Sequence, residues 1–178
     1  MLASGHTGAM RKSAAAVGSA AFFLVGPGLI VGVLPWWITR WDLSRPFPLW
    51  VVAQVLGAVL IVPGVVVAVQ AFARFVNEGR GTPVPVAAPD RLVIGGAYRH
   101  VRNPMYVALL AALIGQALLF ASWGVLLEAA ITWAATASFV HWYEEPALRK
   151  RFGAQYEAYL KAVPGWLPRL RPWHPSAS

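Results

Sequence analysis

The stretch Gly96-Ala97-Tyr98-Arg99-His100-Val101-Arg102-Asn103-Pro104-Met105-Tyr106 decides how the rest of the chain is read. It sets Arg99, His100 and Arg102, a pair of tyrosines and an Asn-Pro step against the start of a long apolar run. Elsewhere charge is scarce. Hydrophobic residues make up 58% of the chain and charged residues 12%, about half the charged share of a soluble domain. The mean hydropathy of +0.56 agrees. The composition therefore points to an integral membrane protein, with a polar cluster at the mouth of an apolar helix. At 178 residues the chain has room for one membrane domain and no second one.

Downstream of the motif, Pro104 to Phe120 reads as a third membrane span. Ala121-Ser122 is a tight break, and Trp123 to Tyr143 reads as a fourth span, so 104–143 is expected to form a helical hairpin. Upstream, Leu49 to Val76 is a second apolar segment, long enough to tilt or to kink at Pro63. Its Gly57, Ala58 and Gly64 would allow close helix contact. Ala14 to Trp37 follows Arg11-Lys12 and reads as a first span; a signal peptide is the alternative, but the run is long and lacks a small-x-small cleavage site. Gly26-Pro27-Gly28 is expected to bend it.

Residues 1–76 thus hold the first pair of spans, and 77–103 a loop carrying the motif. In that loop the Gly- and Pro-rich part from Gly79 to Pro89 is irregular, and Leu92-Val93-Ile94 is too short to span. Residues 144–178 form a polar C-terminal segment. Within it Leu148, Phe152, Tyr156, Tyr159, Leu160 and Val163 fall on one helical face, predicting an amphipathic helix over 146–162. The predicted fold is all-α and polytopic, with about four transmembrane helices plus this C-terminal helix.

Lys and Arg give the orientation. Thirteen of the fifteen fall on one side of such a bundle, against Arg40 and Arg45 on the other. The positive-inside rule then places both termini, the motif and the C-terminal helix at the cytoplasmic face. The net charge of +8 does not point to nucleic acid, because the cations flank oily segments rather than forming a basic face with polar readers. Cysteine is absent, which excludes disulfides, thiolate metal sites and a cysteine nucleophile, and no other constellation has metal-ligand spacing.

Asn103-Pro104 is a good helix start, with Asn favoured at the cap and Pro at the first helical position. A helix N-terminus beside Arg102 makes an anion seat; the plainer reading is that Arg99 and Arg102 anchor a span to lipid phosphates. Glu144-Glu145 is the only adjacent acid pair. It either favours the dipole of the following helix or holds a cationic or hydroxyl-bearing ligand. Glu128 lies inside the fourth span, where Gln116 of the third offers a hydrogen bond as structural glue. His141 precedes the acid pair and reads as either an interfacial residue or a base.

Taken together, Asp90 to Arg169 resembles the isoprenylcysteine carboxyl methyltransferase and phospholipid methyltransferase group of membrane enzymes. The resemblance rests on Arg91-Leu92-Val93, Gly96-Ala97-Tyr98, Arg102-Asn103-Pro104-Met105-Tyr106, Glu144-Glu145-Pro146-Ala147-Leu148, Phe152-Gly153 with Tyr156 and Tyr159, Val163-Pro164 and Leu167-Pro168-Arg169. It implies S-adenosylmethionine as methyl donor. Tyr98, Asn103, Pro104, Met105 and Tyr106 would line the cofactor and Arg102 would hold its carboxylate. One of Glu144 and Glu145 would meet its polar end, and Arg91, Leu92 and Val93 would add backbone contacts. The family's Arg-His-Pro is Arg102-Asn103-Pro104 here, and His141-Trp142-Tyr143 stands where the prenylcysteine enzymes carry an arginine. The expected activity is methyl transfer to a lipophilic acceptor, a carboxylate or another nucleophile, with Glu145, His141 and Arg102 as candidate catalytic groups and His100 as a further candidate base. A phospholipid amine is the alternative acceptor. A non-catalytic membrane scaffold or small transporter is the alternative of another class.

Overall fold

Apolar runs without internal water partners must satisfy their backbone groups within themselves, and helices are what the chain forms. The computed structural model describes residues 25–79 and 92–174, and no strand occurs among them. Helix α1 is Val25–Thr39, α2 is Trp50–Gly79 and α3 is Pro104–Leu119. Helix α4 runs Trp123–Phe152, and α5 is Ala154–Ala162. A short 3-10 turn, Gly96–Arg99, precedes α3. Helices α2 (over Trp50–Arg74) and α4 are long and apolar enough to cross a membrane, while α1 and α3 are shorter apolar helices. Residues 14–24 of the expected first span lie outside the described residues. Large apolar side chains such as Val62, Leu127 and Ile131 stand exposed along α2 and α4, as lipid-facing residues do.

Helices α2 and α3 pack closest, because glycines face each other across the seam. A Cβ on Gly57 would lie 2.5 Å from the Gly115 carbonyl oxygen, and one on Gly64 would lie 3.0 Å from that of Ala108. Gly57 and Gly64 are therefore the small residues that matter; Ala58 is exposed. Side chains of α2 also cap the carbonyls left open at the end of α3. Trp50 Nε1 donates to Leu118 O at 3.0 Å, and Gln54 Nε2 to Leu119 O at 3.2 Å. Ser122 caps α4, accepting from Val125 N–H at 3.3 Å.

Prolines shape both ends of the bundle. Wide π turns occur at Leu29–Val33 and at Val140–Glu144, each just ahead of a proline, Pro35 and Pro146. Proline lacks the N–H that would bond four residues back, so the ladder re-registers there. Pro35 leaves the Val31 carbonyl without its helical donor, and Gln116 Nε2 supplies one at 2.8 Å. Gln116 is thus glue between α3 and α1, not to Glu128 as the sequence suggested. The single amphipathic helix predicted over 146–162 is in fact divided. Its first part continues α4, and Gly153, at φ 49° and ψ −125°, turns the chain into α5.

Candidate functional site

The polar cluster is built where the turn before α3, the exit of α4, helix α5 and the following tail converge. Pro104 opens α3 as expected, and Asn103 stands at the cap position. Its side chain, however, makes no capping bond. Asn103 is buried, and its Nδ2 donates to the Gly165 carbonyl at 3.1 Å, so the amide ties the tail to the helix start instead. The approach at position 165 is close: a Cβ there would lie 3.1 Å from Arg102 Nη2, so the guanidinium would have to shift by a few tenths of an ångström.

Main-chain bonds extend the same clamp. Arg102 N–H donates to Pro164 O, Arg169 N–H to His100 O, and Trp173 N–H to Arg99 O, all at 2.9–3.0 Å. His100 Nδ1 lies 2.8 Å from the Arg169 carbonyl oxygen; a carbonyl only accepts, so Nδ1 carries the proton. Helix α5 closes the cluster from below. The Tyr159 hydroxyl donates to Tyr98 O at 2.7 Å, and Tyr156, Tyr159 and Val163 form a buried group against which Leu92 and Ile94 pack. Val93 is buried with Ala71 and Tyr98, with Met105 against them. The short apolar segment at 92–94 is therefore wedged between α2 and α5.

Arg102 is the electrostatic centre. Its Nη1 donates to Glu145 Oε1 at 2.6 Å, with the side chains 16% and 15% exposed. A charge-assisted bond this short, largely shielded from water, matches the cation to a fixed acid. The seat expected for a ligand carboxylate is thereby neutralised from within. Burial pushes the Tyr156 phenol above its ordinary range, and the Glu145 carboxylate adds to this while the Arg102 guanidinium opposes it. Burial likewise raises Tyr159, again opposed by Arg102.

Glu144 differs from its neighbour. Its Oε2 is buried and has no hydrogen-bond partner among the described residues. Tyr106 stacks on Trp166 of the tail, ring centroids 6.4 Å apart and 27° between planes. A buried acceptor without a partner is costly, and a ligand offering hydroxyl or ammonium donors would relieve it. An aromatic pair alongside suits a cation. The donor set therefore fits the polar end of a ligand such as S-adenosylmethionine.

Of the residues singled out from sequence, Arg102, Asn103, Tyr106, Glu144 and Glu145 come together here. Pro104 forms the buried helix start; Tyr98, Met105, Val93 and Leu92 belong to the apolar support beneath. His141 is exposed beside Trp142, apart from the cluster. Arg91 lies outside the described residues. Gly165 and Trp166 were not anticipated; the signal for them was a glycine and a large aromatic inside a tail otherwise read as irregular.

A family model described as phospholipid methyltransferase matches residues 52–155, from the first turn of α2 to the start of α5. No curated protein and no solved structure matches the chain.

Proposed function

The chain belongs to the phospholipid methyltransferase family, whose model covers more than half of it, and on that footing we propose that this membrane methyltransferase moves a methyl group from S-adenosylmethionine to a lipophilic acceptor presented by the bilayer. The observation that carries the reading is the buried carboxylate oxygen of Glu144, without a hydrogen-bond partner among the described residues, next in sequence to the Arg102–Glu145 pair. Glu144 would accept from the donor's hydroxyls or ammonium. The Tyr106–Trp166 pair would face the cationic part, and the open N–H groups at the start of α3 would meet the carboxylate. The Arg102–Glu145 pair holds the wall rigid, and Asn103 keeps the tail closed over it. Leu92 and Val93 support that wall from beneath.

S-adenosylmethionine brings an activated methyl on a sulfonium, so the chain's task is largely placement. The family description favours a phospholipid head group over a prenylcysteine carboxylate as the acceptor. With an amine acceptor, the nitrogen lone pair forms the new N–C bond as the S–C bond breaks and its electrons return to sulfur. The proton leaving nitrogen needs a base. Glu144 is better placed than Glu145, which Arg102 engages, or His141, which stands exposed. The charge count supports a cytoplasmic face for this end of the bundle.

The test is methyl transfer by purified protein in vesicles, using methyl-labelled S-adenosylmethionine. Label is expected in the lipid fraction when the vesicles contain an ethanolamine phospholipid. Label appearing only on an added prenylcysteine would reassign the acceptor, and no label on any lipophilic acceptor would overturn the reading.

A further inference from the structure

The tail beyond α5 presents apolar side chains that the cluster described above does not use. Leu167 is 81% exposed and Leu170 97%, on an irregular stretch punctuated by Pro168 and Pro172. The stretch is not a loose end. Main-chain bonds from Arg169 N–H to His100 O and from Trp173 N–H to Arg99 O bracket Leu170. The Arg169 side chain turns inward, its Nη1 donating to Ala162 O at 2.6 Å. A fixed backbone therefore holds both leucines outward, a placement that gains nothing in water.

Their depth follows from the register of α2 against α3. Gly57 meets Gly115 and Gly64 meets Ala108 across the seam, so the antiparallel pairing puts Pro104 level with Ala68. From Trp50, an aromatic at the opposite interface, to Ala68 the helix rises about 27 Å. The hydrocarbon core of a bilayer is about 30 Å thick. The turn before α3 thus lies at the boundary between acyl chains and head groups, and any tilt of α2 sinks it deeper. The tail, tied to the main chain of Arg99, His100 and Arg102, lies near the same level.

The side it faces is given by an open groove between α2 and α3, whose lining joins Pro168 and Pro172 to Leu60, Pro63 and Val107. The tail therefore continues the face on which α2 exposes Val59 and Leu60. Its composition agrees. No acid follows Glu157 in the sequence, and Arg171 stands exposed among the apolar residues, a basic and apolar mixture suited to the headgroup boundary.

We propose that the turn carrying Leu167 and Leu170 is inserted into the bilayer at this boundary, with both side chains among the upper acyl carbons and Arg171 at the phosphates. Its partner is the lipid surface rather than a soluble protein. Trp166, which stacks on Tyr106, is the residue before Leu167, so insertion also fixes the tail wall of the cluster at the membrane's edge. The insertion itself does not depend on the methyl-transfer reading.

The test exploits the absence of cysteine, which lets one introduced thiol carry a label at one place. Leu167→Cys, Leu170→Cys and, as the lipid-facing reference, Leu127→Cys are each labelled with nitrobenzoxadiazole in the full chain. The proteins are reconstituted into phosphatidylcholine vesicles with or without brominated acyl chains, or with iodide on both sides. Because Leu167 and Leu170 are exposed, their variants should unfold at the parent's temperature. Labels at 167 and 170 are expected to emit to the blue of their value in water and to lose intensity to the brominated chains, as at 127, with little loss to iodide. Labels at both positions that iodide quenches and brominated chains spare would overturn the proposal and leave this face to a soluble partner.

Discussion

On one side of the turn that leads into α3, Arg102 meets Glu145 at 2.6 Å and one carboxylate oxygen of Glu144 lies buried. On the other side, Arg74 and Arg99 line a groove whose described residues include no carboxylate. The same short segment supplies cations to both sides, and what differs is what answers them. Where acids from the end of α4 arrive, the positive charge is matched inside the protein, and the remaining acceptor looks for donors. The helix start at Pro104 separates the two faces of this turn.

Several substitutions would break or sharpen this contrast. The largest effect on stability is expected from Arg102→Ala, which strands Glu145 with little access to water; the cost should be about 3 kcal/mol. Thermal unfolding in detergent checks it, and Arg102→Met combined with Glu145→Gln should recover most of the loss. Gly96→Ala comes next. Left-handed backbone costs an L-residue about 1–2 kcal/mol, and the new Cβ would push Arg74 off the turn. Thermal unfolding in detergent should register the loss while S-adenosylmethionine affinity holds. Tyr159→Phe should cost about 1 kcal/mol by removing the bond to Tyr98 O, with S-adenosylmethionine binding retained.

The helices were legible because long apolar runs leave the backbone few alternatives, and Pro104 and Ser122 marked their starts. The divided C-terminal helix was not. The apolar spacing of Leu148, Phe152, Tyr156 and Tyr159 continues across Gly153, and nothing in that spacing reports a positive φ. Gln116 shows a signal that could have been used. Pro35 removes the donor to Val31, so a polar side chain on a neighbouring helix had an acceptor waiting. The acid pair, Arg102 and Asn103 were all named from the sequence, but their partners were not. Asn103 reads as a cap by residue type, and its actual acceptor, Gly165 O, is 62 positions away. The tail is held through main-chain groups of Arg99, His100 and Arg102, and bonds between main-chain atoms leave no trace in side-chain chemistry.

The most direct measurement is calorimetric titration of the purified protein with S-adenosylmethionine, alongside Glu144→Gln and Arg99→Gln. Binding is expected in the unmodified protein and in Arg99→Gln alike. Glu144→Gln should weaken it about tenfold or more, as loss of a charge-assisted contact implies, while unfolding at the same temperature as the parent. No heat of binding in well-folded protein would contradict the assignment of this cluster to the methyl donor, and so would undiminished binding by Glu144→Gln.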